Sequence, residues 1–202
     1  GLVCLNPEDG SVVWTAPSRR SSYASFLETT FQGVPQLITY DEAYLRAHDP
    51  ASGEVLWTLP VESMSGYICP TPVKAGEDTL LLTDQDNGAR LFTMREGVIE
   101  EEPAAASHDL LAELATPVVL DGKVYFIYYG LLCGDAATLE TLWTYYDNDA
   151  LAASGYGYPF VDPAGKRMLV YTQDGSLSLL DLAGEAPKVL AQARVSAGGQ
   201  SG

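Results

Sequence analysis

The sequence predicts an all-β fold, a β-propeller of four-stranded antiparallel blades, with about 4.5 blades present of a ring of roughly 7 or 8. Three observations predict it. The stretch Ala47-His48-Asp49-Pro50-Ala51-Ser52-Gly53-Glu54-Val55-Leu56-Trp57 recurs 43 residues earlier, from Cys4 to Trp14, and 86 residues later, from Cys133 to Trp143. The repeat skipped in between falls on Phe92 to Glu101, where Gly97 survives and tryptophan does not. Within each period, short β-branched and aromatic runs alternate with turn residues, about four runs to a repeat. A four-stranded sheet cannot bury both faces alone, so such repeats stack as blades around an axis.

Residues 1–14 supply a remnant, Leu2 to Leu5 and Ser11 to Trp14, reversed by Asn6-Pro7-Glu8-Asp9-Gly10. Pro presets φ in that turn and Gly accepts φ > 0. The first full blade spans 15–58. Its strands fall between Tyr23 and Thr29, over Gln36 to Tyr40, over Tyr44 to His48 and over Glu54 to Leu59. The second, 59–101, carries Thr71-Pro72-Val73-Lys74 and the apolar run Thr79 to Thr83, which reads as a strand buried on both faces. Asp84-Gln85-Asp86-Asn87-Gly88 turns the chain into Arg90 to Met94. The third, 102–144, holds the clearest hairpin. Ala115 to Leu120 and Lys123 to Tyr129 flank Asp121-Gly122, a pair suited to a type I′ turn. A longer inter-repeat loop, Glu100 to His108, and a short helical turn in Asp109 to Leu114 precede it. The fourth, 145–192, runs through Gly157 to Val161, Arg167 to Thr172, Ser176 to Asp181 and Pro187 to Ala193, with Leu190 or a neighbour in place of tryptophan. Residues 193–202 read as a trailing linker. The chain opens inside a strand and closes in that linker, so the remaining blades of a parent propeller are expected beyond it.

Composition narrows the functions. A net charge of −16 excludes a nucleic-acid backbone as partner, since that requires clustered Lys and Arg. No run of 18 apolar residues spans a membrane, and no signal peptide is present. Three cysteines cannot all pair. Cys4 and Cys133 occupy equivalent places in different blades, too far apart for a disulfide. With Cys69 they read as small apolar core residues.

The repeated stretch resembles the tryptophan-docking motif Ala-x-Asp-x-x-x-Gly-x-x-x-Trp of the PQQ-like β-propeller family. That family includes quinoprotein alcohol dehydrogenases and the non-enzymatic assembly factor of the Bam complex. Ala47, Asp49, Gly53 and Trp57 match in full. Asn6, Gly10 and Trp14 match with Cys4 at the first place, and Asp135 and Trp143 match with Cys133 first and Leu139 where Gly belongs. Pro72-Val73 and Pro117-Val118 add a second recurring element. The resemblance implies an eight-bladed fold, a periplasmic or extracellular location and, in the enzymes, PQQ held with calcium by a Glu, an Asn and an Asp. There a tryptophan and often a vicinal cysteine pair pack the quinone.

This sequence has no adjacent cysteines, and its three tryptophans are taken by the repeat. The expected cofactor is therefore none, with PQQ and calcium as the alternative, and no catalytic or metal residue is assigned. His48 and His108 lack partners at metal-ligand spacing and read as solvated. Asp84 to Gly88 departs from a calcium loop in its glycine position and in Arg95, and reads as a hairpin turn; Asp147-Asn148-Asp149 reads alike. Candidate binding residues lie in rim loops that begin Ser-Gly-Tyr, at Ser65 and Ser154. Tyr67, Tyr145, Tyr146, Tyr156 and Tyr158 bring aromatics beside glycine there. The expected function is a non-enzymatic propeller that binds protein. The alternatives are part of a quinoprotein dehydrogenase, or the sensor domain of a larger receptor.

Overall fold

A computed structural model describes residues 1–61, 67–146, 156–164 and 166–196, and these form strands and turns without a helix. β1 (Leu2–Leu5) and β2 (Val12–Ala16) make a two-stranded sheet. β3 (Leu27–Phe31), β4 (Val34–Tyr40), β5 (Tyr44–His48) and β6 (Val55–Pro60) make the first four-stranded sheet, in that order. The second holds β7 (Val73–Gly76), β8 (Thr79–Asp84) and β9 (Gly88–Arg95), with two short strands, β10 (Val98–Ile99) and β11 (Ala105–Ser107), both on the free edge of β9. The third is β12 (Val118–Leu120), β13 (Lys123–Ile127), β14 (Leu131–Asp135) and β15 (Thr141–Tyr145); the fourth is β16 (Gly157–Asp162), β17 (Arg167–Thr172), β18 (Ser176–Asp181) and β19 (Lys188–Arg194). All described pairings are antiparallel, and three four-stranded sheets, one whose fourth strand is split in two, and a two-stranded remnant are an open portion of a β-propeller.

Side-chain alternation stacks the sheets. Successive strand residues point to opposite faces. Leu80 and Leu82 on β8 therefore pack with Phe31, Ile38 and Leu45 of the first sheet, and Leu81 packs with Val124 and Phe126 of the third. On β13, Val124 and Phe126 face the second sheet, while Tyr125 and Ile127 face Met168, Val170 and Leu180 of the fourth. Each inner sheet is thus apolar on both faces. At the ends of the row this leaves apolar side chains exposed: Val3, Val12 and Val13 on β1 and β2, Phe160 on β16 and Leu190 on β19.

The first-to-second-strand hairpin of the third sheet turns through Asp121 and Gly122 with φ of 51° and 71°, the left-handed pair a type I′ turn demands. The β3–β4 turn at Gln32 and Gly33 and the β9–β10 turn at Glu96 and Gly97 use the same geometry.

Several expectations are corrected. No helical turn forms between Asp109 and Leu114. The Ala89 amide donates to the Leu110 carbonyl and the Ala112 amide to the Thr83 hydroxyl, so tertiary bonds draw the backbone flat against β8 and β9. Leu110 and Ala112 are fully buried there. The stretch read as a loop from Glu100 to His108 contributes β11, because the Ala104 amide reaches the Leu91 carbonyl and restores pairing past Pro103. His48 is not solvated: it is buried, and its Nδ1 lies 3.1 Å from the Gly53 carbonyl oxygen. Of the cysteines only Cys133 is buried; Cys4 and Cys69 are half-buried, and all three are free thiols.

Candidate functional site

The two ends of the strands carry different chemistry. At one end lie the repeated turns between third and fourth strands, and they are built alike. Asp49 accepts from the amides of Ala51 and Ser52, Asp135 from those of Ala137 and Thr138, and Asn6 from that of Glu8. The Gly53, Leu139 and Gly10 amides close each turn onto the carbonyl of the same Asp or Asn. These bonds hold the Asp135 carboxyl below its ordinary range, the Ala137 amide contributing most.

The three indoles find different surroundings. Trp14 lies over the turn of the next sheet: its Nε1 donates to the Pro50 carbonyl at 3.0 Å, and a Cβ built on Gly53 would stand 2.5 Å from its ring. The second sheet has no such turn. Trp57 instead donates to Oε1 of Gln36 at 2.8 Å, and the Gln36 amide donates to the Gly97 carbonyl of the second sheet. Trp143 packs against Tyr125 at 6.0 Å between centroids, and its buried Nε1 has no hydrogen-bond partner among the described residues. Opposite each indole across the third strand stands a small residue: Cys4, Ala47 or Cys133. In the fourth sheet Leu179 faces Ala191, so the larger side chain has changed strands.

The other end is a rim made of second-to-third-strand turns and sheet-to-sheet connections. Three of the four full sheets place an aspartate in that turn. Asp41 accepts from the amides of Ala43 and Tyr44 and pairs with Arg46. Burial acts to raise its carboxyl, but the Ala43 amide, Arg46 and the Arg19 amide outweigh it and hold it low. Asp84 accepts from Asp86, Asn87 and Arg90, so the Asp84 to Gly88 stretch is a self-satisfied turn between β8 and β9. Asp174 accepts from Thr172 and Ser176. The third sheet breaks the pattern with Tyr128-Tyr129-Gly130, where Tyr129 has φ of 52° and is 55% exposed.

Around that exception an aromatic cluster assembles. Tyr128 and Tyr129 meet edge to face at 4.8 Å, and Tyr129 lies 6.3 Å from Tyr156. Tyr146 covers Gly130, leaving no room for a Cβ. The Tyr156 hydroxyl donates to Oε2 of Glu113 at 2.9 Å. Glu113 also lines a cavity of about 350 Å³ with Tyr23, Tyr67, Cys69, Gln85 and Leu114, in which Tyr23 and Tyr67 stand 5.5 Å apart. The loop bearing Tyr67 is tied down through Ile68, whose carbonyl accepts from the Ser22 hydroxyl and the Tyr23 amide. The bond to Glu113 raises the Tyr156 phenol to about 12, helped by burial. Burial and then Glu113 raise Tyr128 and Cys69 as well.

Of the tyrosines expected at the rim, Tyr67, Tyr146 and Tyr156 join this assembly. Tyr145 ends β15, opposite Leu131. Tyr158 faces away, because its neighbour Gly157 is the residue turned toward Ile127 of the third sheet. Ser65, Gly66, Ser154, Gly155 and Asp147 to Asp149 lie outside the described residues. Tyr23, Glu113, Tyr128 and Tyr129 are additions. Only Tyr128-Tyr129-Gly130 carried a local signal, the same aromatic-beside-glycine pattern that marks the other loops.

These sheets define a propeller-repeat protein. The chain belongs to the PQQ-like family described as outer membrane protein assembly factor BamB, whose profile matches residues 1–200. Among solved structures it is similar to BamB from Moraxella catarrhalis, with 17% identity and a TM-score of 0.56, over 96% of this chain and 70% of that one. It is also similar to a chain of the mitotic checkpoint complex (13% identity, TM-score 0.64, 95% of this chain and 60% of that one). A further likeness is the computationally designed Ika8 protein (9% identity, TM-score 0.62, 92% of this chain and 53% of that one). At these identities the structural likenesses establish the fold. No curated protein matches the sequence significantly.

All three indoles are packed on fourth strands, and no group of three or more His, Cys, Asp or Glu among the described residues could hold a metal ion. No described helix is long and apolar enough to cross a membrane.

Proposed function

We propose that this chain is a non-enzymatic propeller domain that binds protein, on the extracytoplasmic side, through the rim containing Glu113 and its surrounding tyrosines. The observation that carries the reading is the bond from Tyr156 to Glu113, which joins loops of the second, third and fourth sheets into one aromatic surface. Exposed tyrosines held on rigid turns supply contact area at small entropic cost, as binding surfaces require. Membership in a family described as an outer membrane protein assembly factor supports protein as the class of partner and the extracytoplasmic side as the location.

Photo-crosslinking tests it. A photoreactive residue is placed at Tyr129 on this rim and, separately, at Ala137 on the opposite end, in living cells of the source. Adducts to a defined protein from position 129 and not from 137 are expected. Equal adducts from both positions overturn the assignment of the rim. Alcohol-dependent dye reduction after addition of PQQ and calcium overturns the non-enzymatic reading.

A further inference from the structure

We propose that the cavity lined by Tyr23, Tyr67, Cys69, Gln85, Glu113 and Leu114 receives a single basic side chain, arginine or lysine, of the protein partner. This rests on the protein-binding reading of the rim and names the chemistry recognised there.

The charge pattern of the rim points to it. Asp41 and Asp84 are each answered by an arginine of the same sheet, Arg46 and Arg90. Glu113 has no Lys, Arg or His within ion-pair distance among the described residues. Its one hydrogen-bonding side chain is the Tyr156 phenol, a neutral donor that orients the carboxylate without cancelling its charge. A half-buried carboxylate so placed gains most from a cation brought by a ligand.

The walls suit the rest of such a side chain. Tyr23 and Tyr67, both lining the cavity, stand 5.5 Å apart with ring planes tilted by 44°, and the face of a tyrosine ring attracts a cation. Leu114 offers apolar surface for a methylene stem. A volume of about 350 Å³ is at the low end for small-molecule sites, enough for one long side chain. Cys69 adds no negative charge, because burial and Glu113 both keep its thiol protonated. Over longer range, 27 acidic against 11 basic residues draw a basic segment toward this surface.

The test titrates the protein with blocked Gly-Arg-Gly and blocked Gly-citrulline-Gly, which share shape and differ in charge, following tyrosine fluorescence. Saturable binding of the arginine peptide is expected, with the citrulline peptide at least about tenfold weaker. Glu113→Gln keeps an acceptor for Tyr156, so the fold is retained, and should weaken the arginine peptide about tenfold. Tyr67→Leu should weaken it several-fold. Equal affinity for the two peptides, or unchanged affinity in Glu113→Gln, overturns the proposal. So does tetramethylammonium binding as tightly as the arginine peptide, which makes the cavity a site for small free cations. If the peptide fails while the crosslinker at position 129 still captures a partner, this inference falls and the protein-binding reading stands.

Discussion

The indole of Trp57 and the side-chain amide of Gln36 are hydrogen-bonded within the first sheet, and through that amide Trp57 is coupled to Gly97 of the second. Both residues are buried, Gln36 completely. Among the described residues, the amide is the polar bridge that carries the tryptophan across a boundary where the repeated turn is missing.

Removing that bridge strands a buried donor and a buried acceptor, each worth about 1–3 kcal/mol. Gln36→Leu is therefore expected to lower stability by about 2–6 kcal/mol in urea denaturation. Gln32 bonds to the same turn but is exposed, so water replaces it. Gln32→Leu should cost less than about 1 kcal/mol. Equal costs would contradict the bridging role.

Leu139 occupies a left-handed conformation, φ 57°, at the place where Gly53 and Gly10 stand in the sibling turns. Glycine there would relieve about 1 kcal/mol of strain. Leu139 is also only 3% exposed and packs with Leu110 and Leu132 between the second and third sheets. Losing a buried leucine costs about 2–5 kcal/mol. Packing outweighs strain, so Leu139→Gly should be destabilised by about 1–4 kcal/mol despite restoring the turn residue. A stabilised variant would reverse that ordering.

Asp41 is held below its ordinary carboxyl range. A depressed folded value contributes stability above the unfolded value of about 4, and that contribution disappears as pH falls through the folded value. Asp41→Asn should therefore be less stable than the parent at pH 7, with the gap closing below about pH 4. Thermal unfolding from pH 7 to pH 2 measures it; a gap that stays constant would place the effect in shape and not charge.

Tyr156 behaves in the opposite sense. Its phenol is raised to about 12, above the unfolded value of about 10. The stability it lends is complete below pH 10 and is lost as pH rises toward 12. In absorbance titration at the phenolate band, the difference between the parent and Tyr156→Phe should show a midpoint near 12. Glu113→Gln should lower that midpoint only in part, because the hydrogen bond, the larger cause, persists while the carboxylate's charge is lost.

The sheets were legible because their signals are local. The Asp121-Gly122 turn and the 43-residue phase of Trp14 and Trp57 each stand within a short window of sequence. β11 was hidden because Ala105-Ala106-Ser107 has little strand propensity and follows Pro103; only its partner β9 makes it a strand. His48 looked polar and solvent-facing, yet it folds over its own turn to reach the Gly53 carbonyl, a bond that composition does not reveal. The rim cluster was legible only in part. Tyr67 and Tyr156 share a local pattern, whereas Tyr23, Glu113 and Tyr129 come from separate connections that meet only once the sheets are stacked.

The division of one outer strand into β10 and β11 bears on how the protein behaves in concentrated solution. A long unbroken sheet edge is a template for another chain, and sheets that recruit one another this way aggregate. β10 offers two residues and β11 three, separated by Glu100-Glu101-Glu102-Pro103. Proline has no amide hydrogen to donate, and neighbouring like charges repel a second copy of themselves. The second sheet therefore ends in an edge that a foreign strand cannot extend, and replacing the three glutamates and Pro103 by threonine should make the protein prone to fibrous self-association.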